Sequence, residues 1–300
     1  MPMVIKKVGV VGCGLMGHGI AQVAAQGGFQ VTVVESAKGF LDQGLARIEA
    51  SLEKLAQKEV EKGKSTPEAA KERLTAARAR ITGTLESRAL ADCDPVVEAI
   101  VEDLDAKKKL FVELGKLCRQ ATIFASNTSS FPIGEMAAAS GRPERFVGLH
   151  FFNPVQLMKL VEVVRTDKTD PEVFATARSF GEAVGKVPVG CKDTPGFIVN
   201  RLLVPYLTQA LQMLERGDAT KEDIDLAMVH GCGHPMGPIT LSDYVGLDTT
   251  LYILEGWVKR FPKEPAFQIP RLLEQKVKEK KLGRKSGEGF YKWDGDKRIG

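Results

Sequence analysis

Two patterns of apolar and polar residues follow one another along this chain. In the first pattern, short apolar runs alternate with helical stretches, beginning with Lys7–Val11, Met16–Gln26 and Val31–Val34. A strand, a helix and a second strand within about thirty residues are typical of a parallel β-sheet. Further strands are predicted in the segments Ala79–Ile81, Pro95–Ile100, Thr122–Ala125, Phe146–His150, Leu160–Arg165 and Lys186–Val189. The N-terminal part of the chain is therefore predicted to be an α/β domain.

A long charged stretch interrupts this alternation between the second and third predicted strands. Its leucines and its isoleucine, from Leu41 to Leu55, recur every three or four residues, which predicts an amphipathic helix over Leu41–Lys62. Gly63 ends this helix, and Thr66-Pro67 begins another, because proline is tolerated in a first turn where its missing N–H costs nothing. The two helices are predicted to form a hairpin inserted into the α/β domain.

Beyond Pro195-Gly196 the strand-like runs stop, and only helical spacing remains. A long apolar stripe runs from Ile198 to Leu214. Three further helices are predicted over Lys221–Val229, Ile239–Phe261 and Ala266–Lys281, with Gly and Pro between them. This second pattern predicts an all-helical domain.

The predicted fold class is α/β, with a Rossmann-type, mostly parallel sheet domain over residues 1–192 that carries an inserted helical hairpin. An all-α C-terminal domain is predicted over residues 193–300. A chain of 300 residues, with 43% hydrophobic and 27% charged residues, is long enough for two such domains.

Charge and cysteine content narrow the class of protein. The net charge of +4 does not form the basic footprint of a nucleic-acid protein, and no apolar run reaches the roughly 20 residues needed to cross a bilayer. We therefore expect neither a nucleic acid nor a membrane as partner.

The five cysteines are scattered and form no CxxC, so no metal site is expected and a reducing compartment is indicated. A cytoplasmic location is predicted, although an organellar protein whose leader has been removed would have the same pattern.

The turn after the first predicted strand has the glycine spacing of dinucleotide-binding loops. It reads Gly12-Cys13-Gly14-Leu15-Met16-Gly17, between a strand and a helix. Gly12 allows a tight turn, Gly14 lets a pyrophosphate approach the backbone, and Gly17 lets the helix pack on the sheet. The start of the helix, at Leu15 and Met16, offers free N–H groups to phosphates. The alternative is a glycine-rich turn that binds nothing.

Glu35 ends the next predicted strand, about twenty residues after the glycine loop. An acid at this position can accept hydrogen bonds from both ribose hydroxyls and would repel a 2′-phosphate. The predicted cofactor is therefore NAD rather than NADP.

A dehydrogenase that oxidises an alcohol needs a base for the hydroxyl proton, and histidine suits this role near neutral pH. Among four histidines, His150 is the one at a predicted strand end in the sheet domain, where ligands bind in open α/β sheets. Glu162 lies twelve residues further on, on the next predicted strand. It is either the carboxylate that orients the imidazole or one more solvated acid.

Eight motifs, in order along the chain, resemble those of the L-3-hydroxyacyl-CoA dehydrogenase family over essentially the whole length. They are Gly12–Gly17, Val97–Glu102, Ser126–Ser130, Gly148–Pro154, Met158–Glu162, Lys192–Arg201, His234–Pro238 and Gly287–Tyr291. The resemblance implies an oxidoreductase that interconverts (S)-3-hydroxyacyl-CoA and 3-ketoacyl-CoA by hydride transfer to or from NAD. It implies short substrates such as 3-hydroxybutyryl-CoA and acetoacetyl-CoA, in fatty-acid or butyrate metabolism.

The resemblance also implies residue roles. His150 would be the general base and Glu162 its partner, while Ser129 and Asn200 would lie beside the substrate oxygen. The other implied contacts are Glu102, Lys107 and Asn153 with the nicotinamide half of NAD, Ser129 with NAD, Lys285 with NAD from the helical domain, and Ser51 and Lys58 with CoA. A homodimer formed through the helical domain is implied as well, although an internal core explains the apolar stripe equally well.

Three other functions are also compatible with the sequence. An L-gulonate-type dehydrogenase would share the glycine loop and the His–Glu pair. A catalytically idle NAD-binding protein is a second alternative, but it would have no physical reason to keep Ser129, His150, Glu162 and Asn200 together. The third is one component of a larger fatty-acid oxidation complex, which would need a partner for the hydratase step.

Overall fold

A computed structural model describes residues 2–299 of the chain. Two compact units are present, one ending at Phe197 and the other beginning at Ile198. This division lies slightly beyond the predicted boundary at 192/193, because the segment after the last strand still packs on the first unit. There, Asp193 accepts hydrogen bonds from the backbone N–H groups of Ile133 and Gly134, at 3.0 and 2.8 Å.

The first unit is built on an eight-stranded sheet. Its strands, β1 to β8 in chain order, are Lys7–Val11, Gln30–Val34, Ile81–Thr84, Pro95–Glu98, Ile123–Ser126, Phe146–Phe151, Leu160–Arg165 and Val187–Lys192. They lie in the order β3-β2-β1-β4-β5-β6-β7-β8. Every neighbouring pair is parallel except β6 and β7. The predicted Rossmann-type, mostly parallel sheet is confirmed.

Helices cover this sheet and form the inserted hairpin. The helices α1 to α6 are Gly17–Gln26, Lys38–Glu61, Pro67–Ala79, Leu104–Leu117, Ile133–Ala139 and Pro171–Ala183. The hairpin is α2 and α3, and the side chain of Thr66 caps α3 by accepting from Ala69 N at 3.3 Å. The third strand was predicted slightly too early, at Ala79–Ile81, because α3 continues to Ala79 before β3 begins.

Apolar strand residues form cores on both faces of the sheet, as expected where helices cover a parallel sheet on both sides. Val10 and Val33 are fully buried in one core, and Val96 and Phe124 in the other. The residues at the C-terminal ends of β1, β4, β5 and β6 share one edge of the sheet, since these strands are parallel.

The second unit is mainly helical. Its helices, α7 to α11, are Val199–Arg216, Lys221–Cys232, Pro238–Val245, Leu247–Arg260 and Arg271–Lys278. A small hairpin of Trp293–Asp294 and Lys297–Arg298 was not predicted. The single helix predicted over Ile239–Phe261 is two helices, because Gly246 between them has a φ of 104°, which no helix accommodates. Within residues 2–299, no helix has both the length and the apolar character needed to cross a membrane.

Candidate active site

The glycine loop joins β1 to α1 at the C-terminal edge of the sheet. Gly12 has a φ of 93°, and a Cβ on it would lie 2.5 Å from the carbonyl oxygen of Ala99. A Cβ on Gly17 would lie 1.9 Å from the carbonyl oxygen of Gly12. A Cβ on Gly14, by contrast, would have no described atom within 4 Å. Packing therefore requires two of the three glycines, while the third leaves open the space that a pyrophosphate would occupy, so the loop fits NAD.

Glu35 follows β2 and holds the glycine loop. Its Oε2 accepts a hydrogen bond from Cys13 N at 2.8 Å, and its Oε1 accepts from Ser36 N at 2.7 Å and Ser36 Oγ at 2.9 Å. A carboxylate has about four acceptor positions, so Glu35 keeps acceptor capacity for a ribose hydroxyl. A ring nitrogen of His18 lies 2.8 Å from the carbonyl oxygen of Gly14 and braces the loop from α1.

The two glycines at positions 14 and 17 provide a matched test of this interpretation. We expect Gly14→Ala to change the free energy of unfolding by less than about 0.5 kcal/mol and to weaken NADH binding by on the order of tenfold. Gly17→Ala should destabilise the fold by about 1–3 kcal/mol, because its methyl group meets backbone atoms. Urea unfolding and a fluorescence titration with NADH measure both effects. Equal NADH affinity in the Gly14→Ala variant would contradict the cofactor role of the loop.

His150 and Glu162 face each other across the antiparallel pair of strands β6 and β7. They are directly opposite in the strand register, a position that brings side chains within contact distance. Nδ1 of His150 lies 2.7 Å from Oε2 of Glu162, and the two residues are 5% and 0% exposed. The structure therefore brings together the two residues predicted to form the pair. Because Nδ1 is engaged by the carboxylate, Nε2 is the nitrogen that can act on a substrate.

Two phenyl rings contact the imidazole of His150. The ring centroid of Phe152 is 4.5 Å away and that of Phe197 is 5.6 Å away, both at tilted angles. These apolar contacts and the carboxylate of Glu162 together restrict the orientation of the ring.

The loop after β5 wraps around the carboxylate of Glu102. Oε1 of Glu102 accepts from the hydroxyls of Thr128 and Ser130, at 2.5 and 2.8 Å, and from Ser129 N at 3.3 Å. Within residues 2–299, the hydroxyl of Ser129 makes no hydrogen bond. Glu102 therefore fixes the backbone at Ser129 and leaves its side chain available to a ligand.

Lys107 connects Glu102 to a second acid inside the protein. Its ammonium nitrogen lies 3.1 Å from Glu102 Oε2 and 2.5 Å from Glu98 Oε1. Lys107 is 1% exposed and Glu98 is fully buried, and Glu98 also accepts from Ser126 Oγ at 2.6 Å. The structure thus places the charge of Lys107 between two carboxylates rather than at the surface. Its contact with NAD stays a prediction.

The pKa of Glu102 is set by two opposed effects. Burial by itself would raise the pKa of this carboxyl group. The ammonium of Lys107 and the hydroxyls of Thr128 and Ser130 outweigh burial, so the pKa lies below its usual value. The ionised form of Glu102 is therefore more favourable in the folded state than in the unfolded state.

The lowered pKa of Glu102 leads to a prediction about the stability of the fold in acid. A lowered carboxyl pKa stabilises the fold fully above the unfolded pKa of about 4.3, and this stabilisation is lost as the pH falls through the folded value. We expect Glu102→Gln, which cannot ionise, to lose less stability than the wild type between about pH 6 and about pH 3. Urea midpoints across this range test it. Parallel pH dependences for the two proteins would contradict the assignment.

The remaining predicted contacts are distributed over the two units. In the first unit, Asn153 is the second residue after β6, and α2 carries Ser51, which is half-buried, and Lys58, which is exposed. Helix α2 also touches the glycine loop, because a Cβ on Gly44 would lie 2.2 Å from Cys13 Sγ. The hairpin is thus packed against the loop that fits NAD.

Two predicted residues belong to the second unit. Asn200 lies in the first turn of α7. The ammonium of Lys285 pairs with a carboxylate oxygen of Asp248 at 2.5 Å. Their contacts with substrate and cofactor stay predictions.

Two family models together match nearly the whole chain. The model described as 3-hydroxyacyl-CoA dehydrogenase, NAD binding domain, matches residues 7–194, and the model described as 3-hydroxyacyl-CoA dehydrogenase, C-terminal domain, matches residues 196–293. The chain belongs to the 3-hydroxyacyl-CoA dehydrogenase family. The family inferred from the sequence motifs is confirmed, as are NAD as the cofactor and the enzyme class of an NAD-dependent dehydrogenase.

Named relatives of this dehydrogenase come from animals and bacteria. Hydroxyacyl-coenzyme A dehydrogenase, mitochondrial, of Rattus norvegicus is 51% identical, over 97% of this chain and 92% of the relative. A probable 3-hydroxybutyryl-CoA dehydrogenase of Deinococcus radiodurans is 48% identical, over 96% of this chain and 100% of the relative. The crystal structure of (S)-3-hydroxybutyryl-CoA dehydrogenase from Ralstonia eutropha has a TM-score of 0.91 and 38% identity, covering 97% of this chain and 100% of that chain.

Several residues of the dehydrogenase site were not predicted from the sequence. Glu98, Thr128 and Ser130 form the network around Lys107 and Glu102, and Phe152 and Phe197 contact the base. A charged residue at the end of the apolar run Pro95–Glu98 was a signal for a buried ion pair. No local pattern indicated which phenylalanines would reach His150.

Proposed function

We propose that this dehydrogenase interconverts short (S)-3-hydroxyacyl-CoA and 3-ketoacyl-CoA thioesters, with His150 as the general base. The observation that carries the proposal is the buried pair of His150 and Glu162 at 2.7 Å, on the sheet edge that also holds the open glycine loop. Two relatives named as 3-hydroxybutyryl-CoA dehydrogenases, from Deinococcus radiodurans and Ralstonia eutropha, support the short chain length.

The proposed oxidation begins with a proton transfer to His150. Nε2 takes the proton of the 3-hydroxyl group, and the carboxylate of Glu162 at Nδ1 stabilises the imidazolium that forms. Bound NAD supplies the acceptor for the hydride that leaves C3. In the reverse direction, the imidazolium returns its proton to the oxygen of the ketone.

Two neutral donors are proposed to stabilise the substrate oxygen as it becomes a carbonyl. The hydroxyl of Ser129 is available because no described residue accepts its hydrogen bond. Asn200 is proposed as the second donor, as the resemblance implies. Glu102, Ser129 and Asn153 are proposed to contact NAD. Lys107 and Lys285 are also proposed to contact NAD, as the family resemblance implies. Ser51 and Lys58 are proposed to contact CoA on the same ground.

We also infer a homodimer that forms through the helical unit. Three large apolar side chains on its helices are strongly exposed, namely Leu202 at 68%, Tyr252 at 56% and Leu226 at 53%. The proposed partner would cover these side chains, and the homodimer itself is what the family resemblance implies. The predicted cytoplasmic location stays a prediction, since relatives of similar identity include a rat enzyme named as mitochondrial and bacterial enzymes.

A substrate panel tests the proposed function. We expect NADH absorbance to fall fastest with acetoacetyl-CoA and more slowly with longer 3-ketoacyl-CoA thioesters. When NADPH replaces NADH, the rate with acetoacetyl-CoA should be at least about tenfold lower, because Glu35 repels a 2′-phosphate. Turnover of L-gulonate with NAD but not of acetoacetyl-CoA would favour the gulonate alternative. NADH binding without turnover of any of these compounds would favour an idle NAD-binding protein.

A further inference from the structure

A tight turn precedes the end of the first unit. Phe197 N donates to the carbonyl oxygen of Thr194 at 3.0 Å, with Pro195 and Gly196 between them. Gly196 has a φ of 77°, which matches the third position of a type II turn, and proline favours the second position. The proline and the glycine therefore explain the backbone conformation of this turn up to Gly196.

Phe197 extends the left-handed backbone by one residue more than the turn requires. Its φ is 54°, and among the described residues only Lys280 shares a positive φ without being a glycine. A bulky side chain in this region is strained, and such strain persists only where surrounding contacts impose it. The conformation of Phe197 therefore needs an explanation outside the turn.

Contacts on both sides of the turn hold Phe197 in place. Before the turn, both carboxylate oxygens of Asp193 accept from the backbone at the start of α5. The side chain of Phe197 is 5% exposed and belongs to the core on one face of the sheet. The strained backbone thus directs a buried ring to a fixed position.

The ring of Phe197 reaches the imidazole of His150. The two centroids are 5.6 Å apart, and Phe152 contacts the same imidazole at 4.5 Å. The hydrogen bond to Glu162 fixes the position of Nδ1 but does not by itself fix the tilt of the imidazole about the axis of that bond. Apolar contacts on the ring remove this freedom and keep water away from it.

We propose that Phe197 is a positioning residue for the general base, and that its left-handed backbone is kept because it directs the ring against His150. The proposal rests on the proposed role of His150. In the proposed reaction, Phe197 itself touches no reacting atom. It fixes the direction of Nε2 and limits the access of water to the imidazolium.

The substitution Phe197→Leu removes the ring and keeps an apolar side chain. We expect kcat to fall by on the order of ten- to a hundredfold, because a displaced catalytic group loses rate steeply with distance. NADH affinity should not change. The pH profile of oxidation should change as well, since water can reach the imidazole in this variant.

A matched control separates positioning from loss of core packing. Phe111 lies in the same core as Phe197, is fully buried and packs on Phe146 rather than on His150. Phe111→Leu should lower stability while leaving kcat and the pH profile of the folded enzyme within about twofold of wild type. Phe197→Tyr keeps the ring and should restore both the rate and the pH profile.

The outcomes decide between the explanations. If Phe197→Leu does not fold, Phe197→Met keeps flexible apolar bulk and should show the same changes in rate and pH profile. A wild-type kcat and pH profile in the folded Phe197→Leu or Phe197→Met variant, or an equal fall in kcat in Phe111→Leu, would overturn the proposal. Full activity in His150→Ala would instead overturn the proposed base. If His150→Ala loses activity while Phe197→Leu and Phe197→Met keep the wild-type kcat and pH profile, only the positioning role of Phe197 is overturned.

Discussion

Replacing His150 by alanine is expected to lower kcat for oxidation of 3-hydroxybutyryl-CoA by on the order of a thousandfold. The substitution removes the only proton acceptor that the proposed reaction uses. The fold should persist, because the imidazole is a single small group in a unit with two large cores. The rate is measured by NADH absorbance at saturating substrate, beside a fluorescence titration with NADH that should show wild-type affinity.

A second histidine provides the control for this substitution. His234 lies in the second unit, where its Nδ1 contacts the hydroxyl of Tyr206 at 3.1 Å. His234→Ala should retain kcat within about threefold of wild type, since it changes no residue of the proposed site. A His150→Ala variant with a kcat within about tenfold of wild type would remove the histidine from the mechanism.

The second large effect is expected for Glu162→Gln, which should lower kcat by on the order of a hundredfold. Glutamine has nearly the same shape but no charge, so it cannot stabilise the imidazolium that forms at His150. Its amide can also donate a hydrogen bond to Nδ1, which favours the tautomer in which Nε2 carries the proton. A base that already carries its proton at Nε2 cannot accept one from the substrate.

Two comparisons test this explanation of the Glu162 effect. Glu182→Gln makes the same chemical change at an exposed position of α6 and should leave kcat unchanged. The double variant His150→Ala with Glu162→Gln should be no slower than His150→Ala alone, because the two residues act as a unit. Wild-type turnover in Glu162→Gln, or additive losses in the double variant, would show that the carboxylate does not act through His150.

Much of the sheet unit could be predicted because its signals are local. The glycine spacing of the loop, the acid at the end of the next strand and the apolar runs all lie within short windows of sequence. The antiparallel pairing of β6 and β7 also follows once the strands are known. Residues 152–159 connect them, which is fewer than the dozen or so residues that a parallel crossover needs.

Other predictions failed where one residue overrides a periodic pattern. The apolar spacing over Ile239–Phe261 continues through Gly246, so periodicity alone could not reveal that this glycine has a positive φ and divides the helix. The third strand begins later than predicted because the preceding helix of the hairpin is longer. In both places, the backbone conformation of a few residues decided the boundary.

The amino-acid sequence by itself determined the order of the strands and helices, the glycine loop and the choice of His150 as the candidate base, because these depend on neighbours along the chain. Only the tertiary structure decided which groups meet. It set the register that places Glu162 opposite His150, buried Lys107 between two acids, and directed Phe197 against the imidazole. These contacts join residues far apart in sequence, and their geometry depends on packing that no local pattern encodes.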